Sequence, residues 1–230
     1  MISAIILAGG TGSRMNSDVK KQFIKLDGKE ILAYTIEAFD EVEEINEIII
    51  VSSNDDFEYL NNMVIRYGFK KLFKYVNSGN LRQDSVFNGL QQLNKNSEYV
   101  IIHDGARPFI GSDNIKKGIK KVKEVDACIF VTPTIDTIKS CDENGKVIKT
   151  LDRSTLFNVQ TPQIFERELI LKAHEEANKQ EFIGTDDSVL VENLNHPVYT
   201  IINSPDNIKI TTPKDLAIAE ELLRQKNKKF

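Results

Sequence analysis

The residues best equipped for chemistry lie close to the start of the chain. An apolar run from Ile2 to Ala8 stops in Gly9, Gly10, Thr11, Gly12, Ser13 and Arg14, and Lys21 follows seven residues after that arginine. Glycine at these positions removes the Cβ atoms that keep an anion at a distance, so backbone N–H groups can point at a phosphate. Arg14 and Lys21 place two cations beside the bare backbone, which suits a polyphosphate whose charge must be neutralised as a bond to phosphorus breaks. A glycine turn with a solvated cation pair is the plainer alternative. Two familiar phosphate loops do not fit. A P-loop closes on Gly-Lys and then Ser or Thr, whereas Gly12 is followed by Ser13 and Arg14. The dinucleotide pattern GxGxxG accepts Gly10 and Gly12 but meets Met15 instead of a third glycine, and no acidic residue ends the next apolar run, "EIIIVSSN".

Two later stretches add to this set. "SGNLRQDSV" supplies a turn, Arg82, and Ser85 near a helix start, a pattern suited to hydrogen-bonding a base or ribose; Asp84 or Ser85 could equally serve as an ordinary helix cap. "IIHDGARPF" ends a strand on Asp104, next to Gly105, which has no side chain. That carboxylate could hold Mg²⁺ against phosphates, since this ion usually takes one or two carboxylates plus phosphate oxygens. It could also pair with Arg107 as a structural clamp. The histidines, His103, His174 and His196, are scattered and give little support to a histidine metal site.

These residues need a scaffold that brings strand ends together. Apolar runs recur at "SAIILA", "INEIIIVS", "KLFKYV", "EYVIIHD", "ACIFVTP" and "HPVYTII". Between them, "ILAYTIEAFDEV", "DDFEYLNNMVIRYG", "RQDSVFNGLQQL" and "DNIKKGIKKVKEV" carry apolar residues at helical spacing. Strand alternating with helix predicts an α/β fold: a mostly parallel sheet with helices on both faces, whose ligands sit at the carboxyl ends of the strands. One segment breaks the rhythm. "IDTIKSCDENGKVIKTLDRSTLFNV" has two alternating runs around Asn144-Gly145, a dipeptide suited to a type I′ hairpin. A lone two-stranded ribbon is marginal in water, so the arm at 135–159 is expected to lie on something, and a second copy of the chain is the economical candidate. The chain closes with a helix in which Pro213 fits the first turn.

Composition bounds the function. With 230 residues and no linker-like stretch, one domain over 1–230 is expected. A net charge of −4 argues against a general nucleic-acid binder, so any anion site must be local. Two cysteines, Cys128 and Cys141, without metal-ligand spacing point to a reduced, cytoplasmic protein. No apolar run approaches a membrane span, and the opening run does not read as a signal peptide.

Taken together, "LAGGTGSRM", Lys21-Gln22, "RQDSV", "HDGARPF", "TIDTIK", "DRSTLFNVQTPQIF", "GTDDSVLVE" and "DNIKITTPKDL" closely resemble the 2-C-methyl-D-erythritol 4-phosphate cytidylyltransferase family, CTP-dependent enzymes of non-mevalonate isoprenoid synthesis. The matches run from residue 4 to about 220 in the family's order. The resemblance implies a Rossmann-like fold of the nucleotide-diphospho-sugar transferase type with a projecting β-arm, and a homodimer formed through that arm. It implies that Ala8, Gly9, Gly10, Arg14 and Lys21 surround the CTP triphosphate. Gly79, Arg82, Ser85, Asp104 and Gly105 would hold the cytidine and its Mg²⁺ or other divalent cation, with Asp104 as the metal ligand. Thr137, Arg153, Thr161, Thr185 and Lys209 would bind the polyol phosphate, Arg153 reaching across the dimer. Arg14, Lys21 and Lys209 would neutralise charge during transfer.

Three positions depart from the family pattern. It usually has Ala-Ala-Gly at Ala8-Gly9-Gly10, proline at Lys20 and alanine at Gly105. The first departure is shared with a sister group, the ribitol-5-phosphate cytidylyltransferases of teichoic acid synthesis, the alternative polyol reading. "GTDDSVLVE" and "DRSTLF" look more like the isoprenoid enzyme. A non-catalytic, regulatory nucleotide-binding relative would be expected to lose Arg14, Lys21, Asp104 or Lys209 first, and all four are present.

Overall fold

The computed structural model describes residues 1–10 and 20–227. Strand β1 (Ile2–Leu7) leads, past a small hairpin of β2 (Lys25–Leu26) and β3 (Lys29–Glu30), into helix α1 (Ile31–Asp40), β4 (Ile45–Ser52), α2 (Phe57–Tyr67) and β5 (Leu72–Asn77). Next come α3 (Arg82–Leu90), β6 (Tyr99–Asp104), α4 (Ser112–Val125) and β7 (Ala127–Pro133). The arm strands β8 (Lys139–Cys141) and β9 (Val147–Thr150) are followed by β10 (Phe157–Glu166), α5 (Arg167–Lys179), α6 (Asp187–Glu192), β11 (Tyr199–Ile202) and α7 (Pro213–Asn227).

Seven strands form one sheet in the order β11-β7-β10-β6-β1-β4-β5. All run parallel except β10, which is antiparallel to both β6 and β7. All six apolar runs are parallel strands; the inner ones, β1, β4, β6 and β7, are largely buried on both faces, where alternation would bury polar groups, whereas β11 at the sheet edge is mostly exposed. In β1, Ala4 and Ile6 pack with α1, α2 and α4 on one face, while Ile5 packs with α3, α5 and α6 on the other. Neighbouring β4 splits the same way, Ile48 and Ile50 against Ile49 and Val51. A smaller cluster of Leu26, Ile31, Ile210, Ala219 and Leu223 seats α7 on the β2–β3 hairpin. Register puts Leu7 opposite both Val51 and Asp104, so these strands finish level at one edge.

The seventh strand has no apolar run behind it. β10 carries Gln160, Thr161 and Gln163, all buried, and Pro162, which cannot donate to the ladder. Its pairing with β7 shifts register between Val159 and Gln163.

The arm forms a separate two-stranded sheet, but its turn is not the type I′ expected at Asn144-Gly145. Only Gly145 has a positive φ, 81°; the Asp142 carboxylate accepts from the N–H groups of Asn144 and Lys146 and props open a wider turn. The tight geometry occurs in the β2–β3 hairpin instead, where Asp27 and Gly28 have φ of 48° and 82°.

Glu30, fully buried at the start of α1, ties that hairpin to α2 by accepting from Tyr59 Oη at 2.7 Å, Tyr67 Oη and Arg66 Nη1 at 2.9 Å. Burial alone would raise its pKa, but the two tyrosine hydroxyls and then Arg66 prevail and hold it down from 4.5 to about 2. A carboxyl with a depressed folded pKa contributes stability that is complete above its unfolded pKa and lost as pH falls toward the folded one. Glu30→Gln is therefore expected to cost on the order of 3 kcal/mol near neutrality. Urea melts of both proteins from pH 6 to pH 2 should show that gap closing below about pH 4.5; a gap independent of pH contradicts this account.

Candidate active site

The carboxyl ends of β1, β5 and β6 surround a cavity of about 250 Å³. Its glycine side is Ala8, Gly9 and Gly10, which leave β1 as the ladder ends: the Ala8 N–H donates to Val51 O at 2.7 Å, and Ala8 O accepts from Gln22 Nε2 at 2.6 Å. A Cβ on Gly9 would sit 2.4 Å from Ser78 Cβ, so the β1 and β5 loops meet only because Gly9 is bare; Gly10 has nothing within 4 Å. The opposite wall is Gly79, Arg82 and Ser85. Ser85 Oγ donates to Leu81 O and accepts from Gly79 N–H, each at 3.0 Å, while Asp84 accepts from Leu81 N–H. Both expected cap residues are therefore in use around the turn that also lines the cavity. Lys21, Asp104 and Lys209 complete the lining.

A second cavity, about 290 Å³, adjoins the first and shares Arg82, Asp104 and Lys209 with it. Its other lining includes Arg107, Gln160, Thr161, Gln163 and Thr185. Two hollows meeting over one carboxylate and several cations can bring two anions together.

Asp104 is the hub. Its carboxylate takes Lys209 Nζ at 2.9 Å on Oδ2, Arg82 Nε at 3.5 Å on Oδ1 and Arg107 Nε at 3.5 Å on Oδ2. Burial would raise its pKa, but Arg82, Lys209 and Arg107 hold it well below the usual carboxylate range. The clamp with Arg107 and the position at the ligand edge thus both occur. As a metal site, Asp104 stands alone: no group of three His, Cys, Asp or Glu suited to a metal occurs among the described residues. One carboxylate fits Mg²⁺ that arrives with its own phosphate oxygens, and does not fit an ion held by protein alone.

The backbone at Asp104 is fixed from behind. His103 is fully buried, and burial pushes its imidazole down to about 3, so the ring is neutral. Its Nε2 lies 3.2 Å from Arg107 O, which can only accept, so Nε2 carries the proton. Nδ1 then accepts from the Thr161 hydroxyl at 3.1 Å, and Thr161 Oγ1 accepts from Asp104 N–H at 3.0 Å. Thr161 lines the second hollow, yet its hydroxyl already pins β10 to β6. His103 escaped the sequence reading because a histidine in an apolar run gives no sign of its partners.

The remaining expected residues divide clearly. Gly105 lines neither cavity; a Cβ there would meet Leu32 Cδ1 at 2.8 Å and Leu7 O at 2.9 Å, so this glycine lets β6 end tightly against β1 and α1. Thr137 and Arg153 lie on the arm and line neither hollow; Arg153 Nη1 donates to Ile135 O at 3.0 Å. Arg14 falls outside the described residues. Lys20, one of the departures, pairs with Asp56 at 2.7 Å, and Asp56 also accepts from Ser52 Oγ beside Ala8.

Residues 2–225 match the IspD family, described as 2-C-methyl-D-erythritol 4-phosphate cytidylyltransferase. The chain belongs to this cytidylyltransferase family. A 2-C-methyl-D-erythritol 4-phosphate cytidylyltransferase from Caldanaerobacter subterraneus subsp. tengcongensis is 45% identical over 225 residues, which cover 97% of this chain and 99% of the relative. One from Clostridioides difficile is 45% identical over 229 residues, 99% and 96% of the two chains. Among solved structures, a 4-diphosphocytidyl-2C-methyl-D-erythritol synthase from Anaerococcus prevotii superposes with a TM-score of 0.88 at 36% identity, covering 97% and 96%. These relatives favour methylerythritol phosphate over ribitol phosphate. As a member of the cytidylyltransferase family the chain is a nucleotidyltransferase, and its mostly parallel α/β sheet is the fold of the family's solved structures. No helix among the described residues is long and apolar enough to cross a membrane.

Proposed function

We propose that the chain joins CTP and 2-C-methyl-D-erythritol 4-phosphate at the shared wall of the two hollows, transferring CMP and releasing pyrophosphate. The observation carrying this reading is Lys209 paired with Asp104 at 2.9 Å where the cavities meet. CTP lies along Ala8, Gly9 and Gly10, with Lys21 at its phosphates and Gly79, Arg82 and Ser85 at the nucleoside. The polyol phosphate lies beside Thr161, Thr185 and Lys209. Asp104 would hold Mg²⁺ together with triphosphate oxygens, and the ion supplies charge neutralisation at those oxygens.

The nucleophile is an oxygen of the polyol phosphate, substantially anionic at neutral pH. It forms a new P–O bond to the α-phosphorus of CTP while the bond to the β-phosphate bridging oxygen breaks, and the electron pair leaves with pyrophosphate. No proton need be removed, so no general base is required. The chain's own task is to align two polyanions and offset their repulsion.

Two features support a homodimer with shared sites. Ile135, Val147 and Ile148 on the arm are exposed, and a two-stranded ribbon gains little stability alone. Thr137 and Arg153 would then serve the neighbouring protomer's polyol hollow. A mixture of Arg153→Ala and Lys21→Ala variants should regain activity as mixed dimers form, because one site in each then has both residues. Absence of recovery after proven subunit exchange would exclude the shared site. The two free cysteines, Cys128 and Cys141, suit a reducing, cytoplasmic setting.

The reading is tested by pyrophosphate release from CTP and Mg²⁺ with either 2-C-methyl-D-erythritol 4-phosphate or ribitol 5-phosphate. Turnover is expected with the first. Preference for the second would reassign the polyol hollow.

A further inference from the structure

Behind the nucleotide wall lies a buried carboxylate that the reaction above does not use. Asp187 opens α6 with its side chain 1% exposed. Its Oδ2 accepts from Arg82 Nη1 at 2.8 Å, and Oδ1 is 3.4 Å from Nε2 of the buried His174. Its own N–H donates to Gln163 Oε1 at 3.1 Å, tying the start of α6 to β10. Arg82 therefore sits between two carboxylates at unequal distances, 2.8 Å to Asp187 and 3.5 Å to Asp104.

The inequality has a physical consequence. An arginine fork that lost Asp187 would find its best remaining partner in Asp104, where a bidentate pair is the favoured geometry. Collapse onto Asp104 would fill the wall of the nucleotide hollow and occupy the carboxylate that faces the phosphates. Held by Asp187, the guanidinium stays back and keeps donors on its terminal nitrogens for a ligand. We propose that Asp187 is a positioning residue for the nucleotide site: its buried carboxylate draws Arg82 off Asp104 and fixes it in the cavity wall. This rests on the assignment of Arg82 to the nucleotide.

A double-mutant cycle read by calorimetric titration of CTP with Mg²⁺ tests it, using the unaltered protein, Arg82→Ala, Asp187→Asn and the double variant. Asp187→Asn should weaken CTP about tenfold, the scale of one charge-assisted hydrogen bond, and should add little in the Arg82→Ala background. Asp187→Glu should recover part of the affinity. Equal losses in both backgrounds would mean a purely structural role and overturn the proposal, as would undiminished affinity in Asp187→Asn while Arg82→Ala binds weakly. Undiminished affinity in Arg82→Ala would instead remove Arg82 from the nucleotide site, and this inference with it. Should a variant fail to fold, a crystal structure of the unaltered protein with CTP decides: Arg82 within hydrogen-bonding distance of Asp187 supports the proposal, and Arg82 transferred to Asp104 overturns it.

Discussion

Asp104→Asn is expected to lower kcat/KM by on the order of 10³-fold, the upper range for loss of one electrostatic group at a transition state, and to lower the unfolding midpoint as well. The two effects share a cause. Asp104 is the carboxylate on which Arg82, Arg107 and Lys209 converge, and it is 6% exposed. An amide keeps the shape but leaves those cations facing one another, and breaking a buried ion pair on one side costs about 3–5 kcal/mol. The same substitution removes the negative charge that would hold Mg²⁺ against the triphosphate. Because the folded pKa of Asp104 is depressed, its stabilising share is present above the unfolded carboxyl value and lost as pH falls through the folded one. The stability gap between the two proteins should stay level from pH 8 to 5 and narrow below about pH 4. Thermal melts across that range and pyrophosphate release at neutral pH check both parts. An asparagine variant that turns over normally removes Asp104 from the reaction.

The positions that sequence reasoning reached and those it missed differ in one physical respect. Runs such as "EIIIVS" and "YVIIHD" announce central strands because every residue in them except the half-buried Tyr99 is buried, with helices on both faces of the sheet. The strand beside them, β10, is no less buried at Gln160, Thr161 and Gln163, yet it reads as polar because those side chains serve the site rather than the core. Gln163 bonds both Asp186 and the start of α6; Gln160 accepts from Asn203 and Asn207. A strand that trades apolar contacts for directed hydrogen bonds loses the pattern that would reveal it. The proposed site had the reverse fortune. Gly9, Lys21 and Asp104 sit at strand ends or in the loops that follow, where chemistry is exposed in the sequence by residue type. Asp187 and His103 stand behind that layer, and only three-dimensional neighbours give them a role. The arm's turn shows a third limit: Asn144-Gly145 carries the right dipeptide, but the Asp142 carboxylate, two residues earlier, caps the backbone and selects a wider loop.

Lys209→Ala should reduce kcat by on the order of 10²-fold, as removal of one preorganised donor commonly does, while leaving the fold intact. Its ammonium is held over Asp104 by a loop fixed on both sides of it. Ile210 N–H donates to Ala106 O at 2.9 Å, Arg107 Nη1 donates to Asn207 O at 2.8 Å, and Asn207 Nδ2 donates to Thr161 O at 2.9 Å. With the loop anchored independently of the lysine, truncation removes a charge without releasing the backbone. The side chain is 38% exposed, so its pair with Asp104 is partly screened and adds about 1 kcal/mol or less to stability. For catalysis its position weighs more, since it borders both hollows. Like charges 4 Å apart repel by about 1 kcal/mol in water and about 4 kcal/mol at an effective dielectric of 20, and that repulsion grows as the attacking phosphate nears the α-phosphorus. A cation at the junction opposes a cost that is largest in the transition state, so kcat should fall more than the KM for either substrate rises. Lys209→Arg should recover only part of the rate, because a planar fork does not reproduce a compact point charge. Steady-state kinetics with each substrate varied in turn separate these effects. If kcat of the alanine variant stays within threefold of the unaltered enzyme, charge neutralisation at the junction does not limit transfer, and the proposed meeting of two anions over Asp104 and Lys209 fails.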